Sequence, residues 1–173
     1  MELIIVLPYW CISRAISLSL VPQNLRSLYT QAITRAEYCA LAVALYEKVT
    51  GTEIAGRCQF DDTNDVNVQK AGYIEVVNGT SPGKFTPNAS LTREQAATML
   101  ARLAIAMGKP LNILDIEPFA DMESVSIWAN NAVRAMQSSA IMRGTGNNMF
   151  LPKCDYTREQ SIVTILRMHD AMK

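Results

Sequence analysis

One histidine, His169, is all the imidazole in this chain of 173 residues, and its four cysteines, Cys11, Cys39, Cys58 and Cys154, are scattered without a C-x-x-C pair. The usual zinc constellations are therefore excluded. With no Gly-x-Ser-x-Gly, no phosphate loop and no repeated carboxylate pair, the chain also lacks the groups an enzyme would converge on a substrate. We expect no catalytic residue, no metal and no cofactor. The acidic run Asp61-Asp62-Thr63-Asn64-Asp65 lacks the alternating ligands, central Gly and closing Glu of a calcium loop. Net charge is absent too: sixteen Lys and Arg balance sixteen Asp and Glu. No broad basic field exists to attract nucleic acid or an anionic membrane, so any anion must be held locally. No segment approaches the ~20 apolar residues of a membrane span. Residues 1–7 carry a short apolar run behind Glu2, but no basic start and no long hydrophobic stretch, so they make no convincing signal peptide.

What the chain has is a hydrophobic content of 49%, enough for a globular core, and a phrase written three times. The copies are Ile33-Thr34-Arg35-Ala36-Glu37, Leu91-Thr92-Arg93-Glu94-Gln95 and Tyr156-Thr157-Arg158-Glu159-Gln160. A Thr followed three residues later by Glu or Gln is a capping box, so each phrase starts a helix. Glu37, Gln95 and Gln160 read as caps and nothing more. The Arg in first helical position works against the macrodipole, and its recurrence at one offset points to a wanted guanidinium. Two uses stay open from the residues. Each Arg pairs with an Asp of its own chain, such as Asp62 or Asp121, or each holds a carboxylate or phosphate at the helix N-terminus.

The second and third copies belong to a longer unit. Phe60-Asp61-Asp62 matches Phe119-Ala120-Asp121, a short amphipathic helix over 68–77 matches one over 133–142, and Gly79, Phe85-Thr86-Pro87 and Thr92 match Gly144, Phe150-Leu151-Pro152 and Thr157 at identical spacings. Turn residues between Gly and Phe forbid regular structure, and the Pro blocks helix until the Thr cap. Phe85 and Phe150 read as core plugs. Long helices over about 34–50, 92–107 and 157–172 place Ala42 and Leu45, Leu100 and Leu103, and Ile165 and Met168 at equivalent apolar positions. Short units of this kind bury their faces only against copies of themselves. The expected fold is all-α, a pseudo-trimeric central helical bundle with three loop-helix lobes. Its repeats span 1–52, 53–110 and 111–173 and make one compact domain.

The first unit is atypical. Its stretch from Trp10 echoes the one from Trp128, but no Gly loop or F-x-P precedes Thr34, and by the offset of Phe119 from Trp128 the opening aromatic falls at Met1. The chain reads as beginning inside its own first repeat, a piece of a longer exported protein, and an unfinished first lobe invites a homodimer. In the second unit six residues are missing between Phe60 and Gly79 relative to the third, and the Trp is lost with them.

Taken together, these phrases resemble the S-layer homology domain, whose units read F-x-D, a Trp-bearing short helix, a Gly loop with F-x-P and a T-R-A-E box, usually in threes. The resemblance covers nearly the whole chain. It implies a module at the bacterial cell surface that anchors exported proteins non-covalently by gripping cell-wall polysaccharide, often one bearing pyruvyl ketals, in grooves between lobes. On that resemblance Arg35, Arg93 and Arg158 become carboxylate ligands, Trp10 and Trp128 sugar platforms, and Gly79 and Gly144 places of close backbone approach. Asp62 and Asp121 orient the Arg or accept from sugar hydroxyls, and the groove that needs the missing Trp is blind. Buried core packing is the competing reading for both tryptophans. A helical protein-binding or oligomerisation scaffold without glycan is the competing function.

Overall fold

The computed structural model describes residues 9–173. The apolar run within residues 1–7 and the position at Met1 lie outside them. Six helices carry the fold: α1 (Tyr9–Ser17), α2 (Arg35–Thr50), α3 (Val66–Tyr73), α4 (Arg93–Ala106), α5 (Asn130–Ser138) and α6 (Arg158–Ala171). Among the described residues there is no strand, only isolated bridges.

The three long helices, α2, α4 and α6, begin where the repeated phrase places them. Each Thr side chain accepts from the backbone N–H three residues on, and the Glu37, Gln95 or Gln160 side chain accepts the cap's own N–H in return. A cap of this kind is worth about 1 kcal/mol. The three Thr share one backbone geometry, with φ of −83, −83 and −84° and ψ of 161° throughout. α2 ends at Gly51, whose left-handed φ of 68° a side chain would disfavour.

Just ahead of the caps the chain closes on itself. Ile33 N–H donates to Tyr156 C=O, Tyr156 N–H to Leu91 C=O, and Leu91 N–H to Ile33 C=O, at 2.8, 2.8 and 3.0 Å. The N–H groups of the three first-turn arginines repeat the cycle, with Arg35 donating to Ala89, Arg93 to Cys154 and Arg158 to Gln31. Donors that a helix start leaves orphaned are thus satisfied by the neighbouring repeat. Ala42, Leu45, Leu100, Leu103, Ile165 and Met168 are all fully buried below this ring. A buried Leu or Ile contributes about 2 kcal/mol to cohesion.

Each short helix packs on the long helix of the preceding unit: α3 on α2, α5 on α4, and α1 back on α6. The Arg14 guanidinium locks the last of these contacts with two bonds to Asp170, at 2.6 and 2.7 Å, and holds that carboxyl well down, to about 2. The seat on α6 that an unfinished lobe would leave for a second copy is therefore filled by the chain's own α1.

The first repeat carries the F-x-P backbone without its sequence. Leu28 takes the left-handed φ of 53° found at Thr86 (55°) and Leu151 (57°), and Tyr29 C=O accepts from Glu159 N–H as Pro87 and Pro152 accept from Ala36 and Glu94. Phe85 and Phe150 are fully buried, each beside the opening aromatic of its unit, Phe60 or Phe119, with ring centroids 5.2 Å apart.

Candidate functional site

Two of the seams between repeats are built around an F-x-P turn held from two sides. Asp62 accepts from Phe85 and Thr86 N–H at 2.9 and 2.8 Å, and Asp121 from Phe150 and Leu151 N–H at 2.7 Å each. Those bonds hold Asp62 below the usual carboxylate range and support a left-handed residue that neither Thr nor Leu favours. Both oxygens of each Asp are so engaged, and neither Asp makes an ion pair with an Arg among the described residues. They clamp the turn of their own repeat.

The opposite side is held by the preceding repeat. Arg35 Nε donates to Phe85 C=O at 2.9 Å and its guanidinium to Asn78 C=O at 3.3 Å; Arg93 does the same with Phe150 at 2.7 Å and Arg143 at 3.0 Å. Each guanidinium also covers its Phe ring, at 4.5 and 4.9 Å from the centroid. Neither pairs with an Asp. Both are buried, and burial pulls their pKa down from the ordinary value. Carbonyls orient a guanidinium without neutralising it, so two charged groups stand partly desolvated with no carboxylate in ion-pair contact among the described residues, the nearby Asp62 and Asp121 favouring their charge only through space.

Beside each of these arginines lies a groove. The first, about 300 Å³, is lined by Arg35, Asn78, Gly79, Thr80, Gln95, Met99, Arg102 and Trp128. The second, about 280 Å³, is lined by Arg93, Arg143, Gly144, Thr145, Tyr156, Glu159, Gln160 and Arg167. They are the same place in successive repeats, because Gly79 and Gly144, Gln95 and Gln160, and Arg102 and Arg167 occupy matching positions. A Cβ on Gly79 would lie 2.6 Å from Lys84 O, and one on Gly144 3.0 Å from Met149 O. These glycines let the loop close on its own backbone at the groove wall. Trp128, 58% exposed, lines the first groove; Trp10, 62% exposed, sits on α1 and is not among the residues lining the second. Neither indole is core, which corrects the packing reading of both.

Sequence reasoning missed Arg102, Arg143 and Arg167. No hydrogen bond or ion pair engages the Arg102 or Arg143 side chain among the described residues, while Arg167 donates to Ile141 C=O at 3.2 Å. Burial, and then the neighbouring Arg143, lower the Arg167 pKa. Arg102 and Arg167 each lie ten residues after their capping Thr, at 92 and 157, and Ala44 stands at that offset in the first repeat. The signal was an Arg recurring at one offset of the long helices, outside their buried apolar stripe.

The third seam differs. Arg158 reaches its turn through a terminal amino group, which donates to Ser27 C=O at 3.2 Å where the other two use Nε; its other amino group pairs with Glu37 at 2.5 Å, and its Nε has no partner among the described residues. Glu37 is therefore more than a cap, and Gln95 and Gln160, at its position in the other repeats, are groove-lining residues. α3, the short helix without a Trp, is the one that packs on α2 beside this seam.

The family model of the S-layer homology domain matches residues 68–97 and 118–160. Among curated proteins, an endoglucanase of Bacillus sp. (strain KSM-635) is 29% identical over 141 residues, 79% of this chain and 15% of that protein. An amylopullulanase of Thermoanaerobacterium thermosulfurigenes is 30% identical over 78% of this chain and 7% of its own length. Exoglucanase XynX of Acetivibrio thermocellus is 28% identical over 79% of this chain and 13% of its own. The chain thus spans 15% or less of the relatives it matches. With a helical fold, its capping boxes and two matched F-x-P units, the chain belongs to the S-layer homology domain family, whose members are generally cell-wall anchoring modules.

Proposed function

We propose that this chain anchors a surface protein to the bacterial cell wall by holding an anionic wall polysaccharide, with a pyruvyl carboxylate as the gripped group, in the grooves at Arg35 and Arg93. The observation that carries this reading is the pair of equivalent grooves, each with at least two guanidinium groups and a helix N-terminus. Arg102 and Arg167 supply the accessible charge; Arg35 and Arg93, fixed by carbonyls, supply a preorganised wall. A carboxylate entering either groove gains charge-assisted bonds without having to displace an internal acid from those arginines. In the first groove the exposed Trp128 offers an apolar sugar face its platform. The three repeats, 1–52, 53–110 and 111–173, act as one pseudo-trimeric domain, a division supported by the closed ring of backbone bonds ahead of the helices. The module itself is not an enzyme on this reading, and catalysis belongs to whatever it anchors.

The test is calorimetric titration of purified cell-wall polysaccharide, before and after removal of pyruvate, against the native chain and Arg102→Ala/Arg167→Ala. These two arginines lie outside the turn clamps, so the variant keeps its fold. Binding that needs both pyruvate and the two arginines is the expected result. Unchanged binding by the variant would sink the proposal, and no binding by the folded native chain would hand the lead to a protein-binding scaffold.

A further inference from the structure

We infer that the third seam is an anion groove occupied by the protein's own carboxylate, so that this chain offers two glycan sites rather than three. The inference rests on the reading of the other two grooves given above. Arg158 occupies the first helical position of α6, as Arg35 and Arg93 do in α2 and α4, and it reaches the F-x-P-like turn at Ser27 as they reach Phe85 and Phe150. The difference lies in the residue three after the neighbouring capping Thr. In the open grooves that residue is Gln95 or Gln160, a neutral amide on the groove wall. In the third it is Glu37, which accepts Thr34 N–H with one oxygen and binds Arg158 with the other.

Both partners are mostly shielded from water, with side chains 12% and 20% exposed, so the pair is screened less than a surface ion pair. An external carboxylate would have to displace a tethered one already held by its backbone cap, and an intramolecular ligand has the advantage of effective concentration. Glu37 thus does in this seam what the glycan carboxylate does in the other two. Its position also marks where on the helix terminus that carboxylate sits.

Glu37→Gln tests this with little risk to the fold, because Gln completes the same capping box in α4 and α6. The probe is a methyl glycoside bearing one pyruvyl ketal, titrated into isotope-labelled native and variant chains while backbone amide shifts are followed. Gly79 and Gly144 report on the open grooves, and Ser27 and Arg158 on the third. In the native chain the first two respond and the third stays silent. In Glu37→Gln the third responds as well, about tenfold more weakly because Ala44 stands at the offset of the second arginine. Equal response of all three seams in the native chain overturns the inference. So does silence of the third seam in Glu37→Gln at tenfold the concentration that saturates the others. Silence of every seam in both proteins overturns the glycan reading itself, and the inference with it.

Discussion

The seam where Arg93 meets the third repeat and the seam where Arg158 meets the first share their backbone bonds and differ in nearly every side chain. Both pass a first-turn N–H to the neighbouring repeat, and both send a guanidinium to the carbonyl that opens the turn. The first surrounds that guanidinium with Phe150, Arg143 and Arg167; the second gives it Ser27 and Glu37, with Ala44 at the sequence offset of Arg167. Backbone donors and acceptors suffice to keep the repeats in register, so the turn tolerates Ser27-Leu28-Tyr29 where F-x-P stands elsewhere. Side chains are left free to decide what each seam binds. One architecture thus yields a net cationic groove in one place and an internally neutralised one in another.

The comparison is sharpened most by removing the two arginines. Arg93→Ala strips one buried and one part-buried carbonyl of their donor and uncovers the Phe150 ring, at a cost of about 3 kcal/mol, whereas Arg158→Ala leaves Glu37 still capping α2 and costs about 1 kcal/mol. Urea unfolding of the two variants measures the gap, and equal costs would break the claim that the seams are differently built. Next in size, Arg167→Ala weakens glycan binding at the Arg93 seam about tenfold while leaving stability within about 0.5 kcal/mol of native, as read by calorimetry and thermal melting. Trp128→Ala lowers affinity at the Arg35 seam about fivefold and leaves the Arg93 seam unaffected, which amide shifts at Gly79 and Gly144 distinguish.

The smallest effect separates the two open grooves by pH. Burial raises the Glu159 carboxyl above its ordinary value, so it takes up a proton earlier than a free glutamate as pH falls. Protonation removes the acid lining the Arg93 groove, so an anion is held a few-fold more tightly there on going from about pH 7 to about pH 5. The Arg35 groove, with no acid in its lining, stays flat over that range. Site-resolved titration at the two pH values checks the difference.

Helix starts, repeat register and the burial of Phe85 and Phe150 were legible in the sequence because capping boxes and apolar spacing are local signals. The double duty of Glu37 was not. Capping explains its presence so completely that nothing in the sequence hints at Arg158, 121 residues away. Asp62 and Asp121 misled for a related reason: an acid beside a recurrent Arg suggests a pair, yet the left-handed residues at Thr86 and Leu151 needed those carboxylates for their own N–H groups. Trp10 is exposed because α1 turns Cys11, Ile12 and Ala15 to the core instead, and Trp128 because it lies in the short 3-10 turn Ile127–Ala129 ahead of α5, of which only Ala129 is buried. Arg102 and Arg167 are visible only once long helices are compared position by position outside their apolar stripe.

The central claim is that the Arg35 and Arg93 seams hold the carboxylate of a wall sugar and the Arg158 seam does not. A crystal structure of the chain with a pyruvylated saccharide tests it most directly. The account predicts one saccharide in each open seam, its carboxylate within about 3 Å of a guanidinium, with the Glu37–Arg158 pair intact. Saccharide density at Arg158 with that pair broken, or on an outer face away from all three seams, would contradict it.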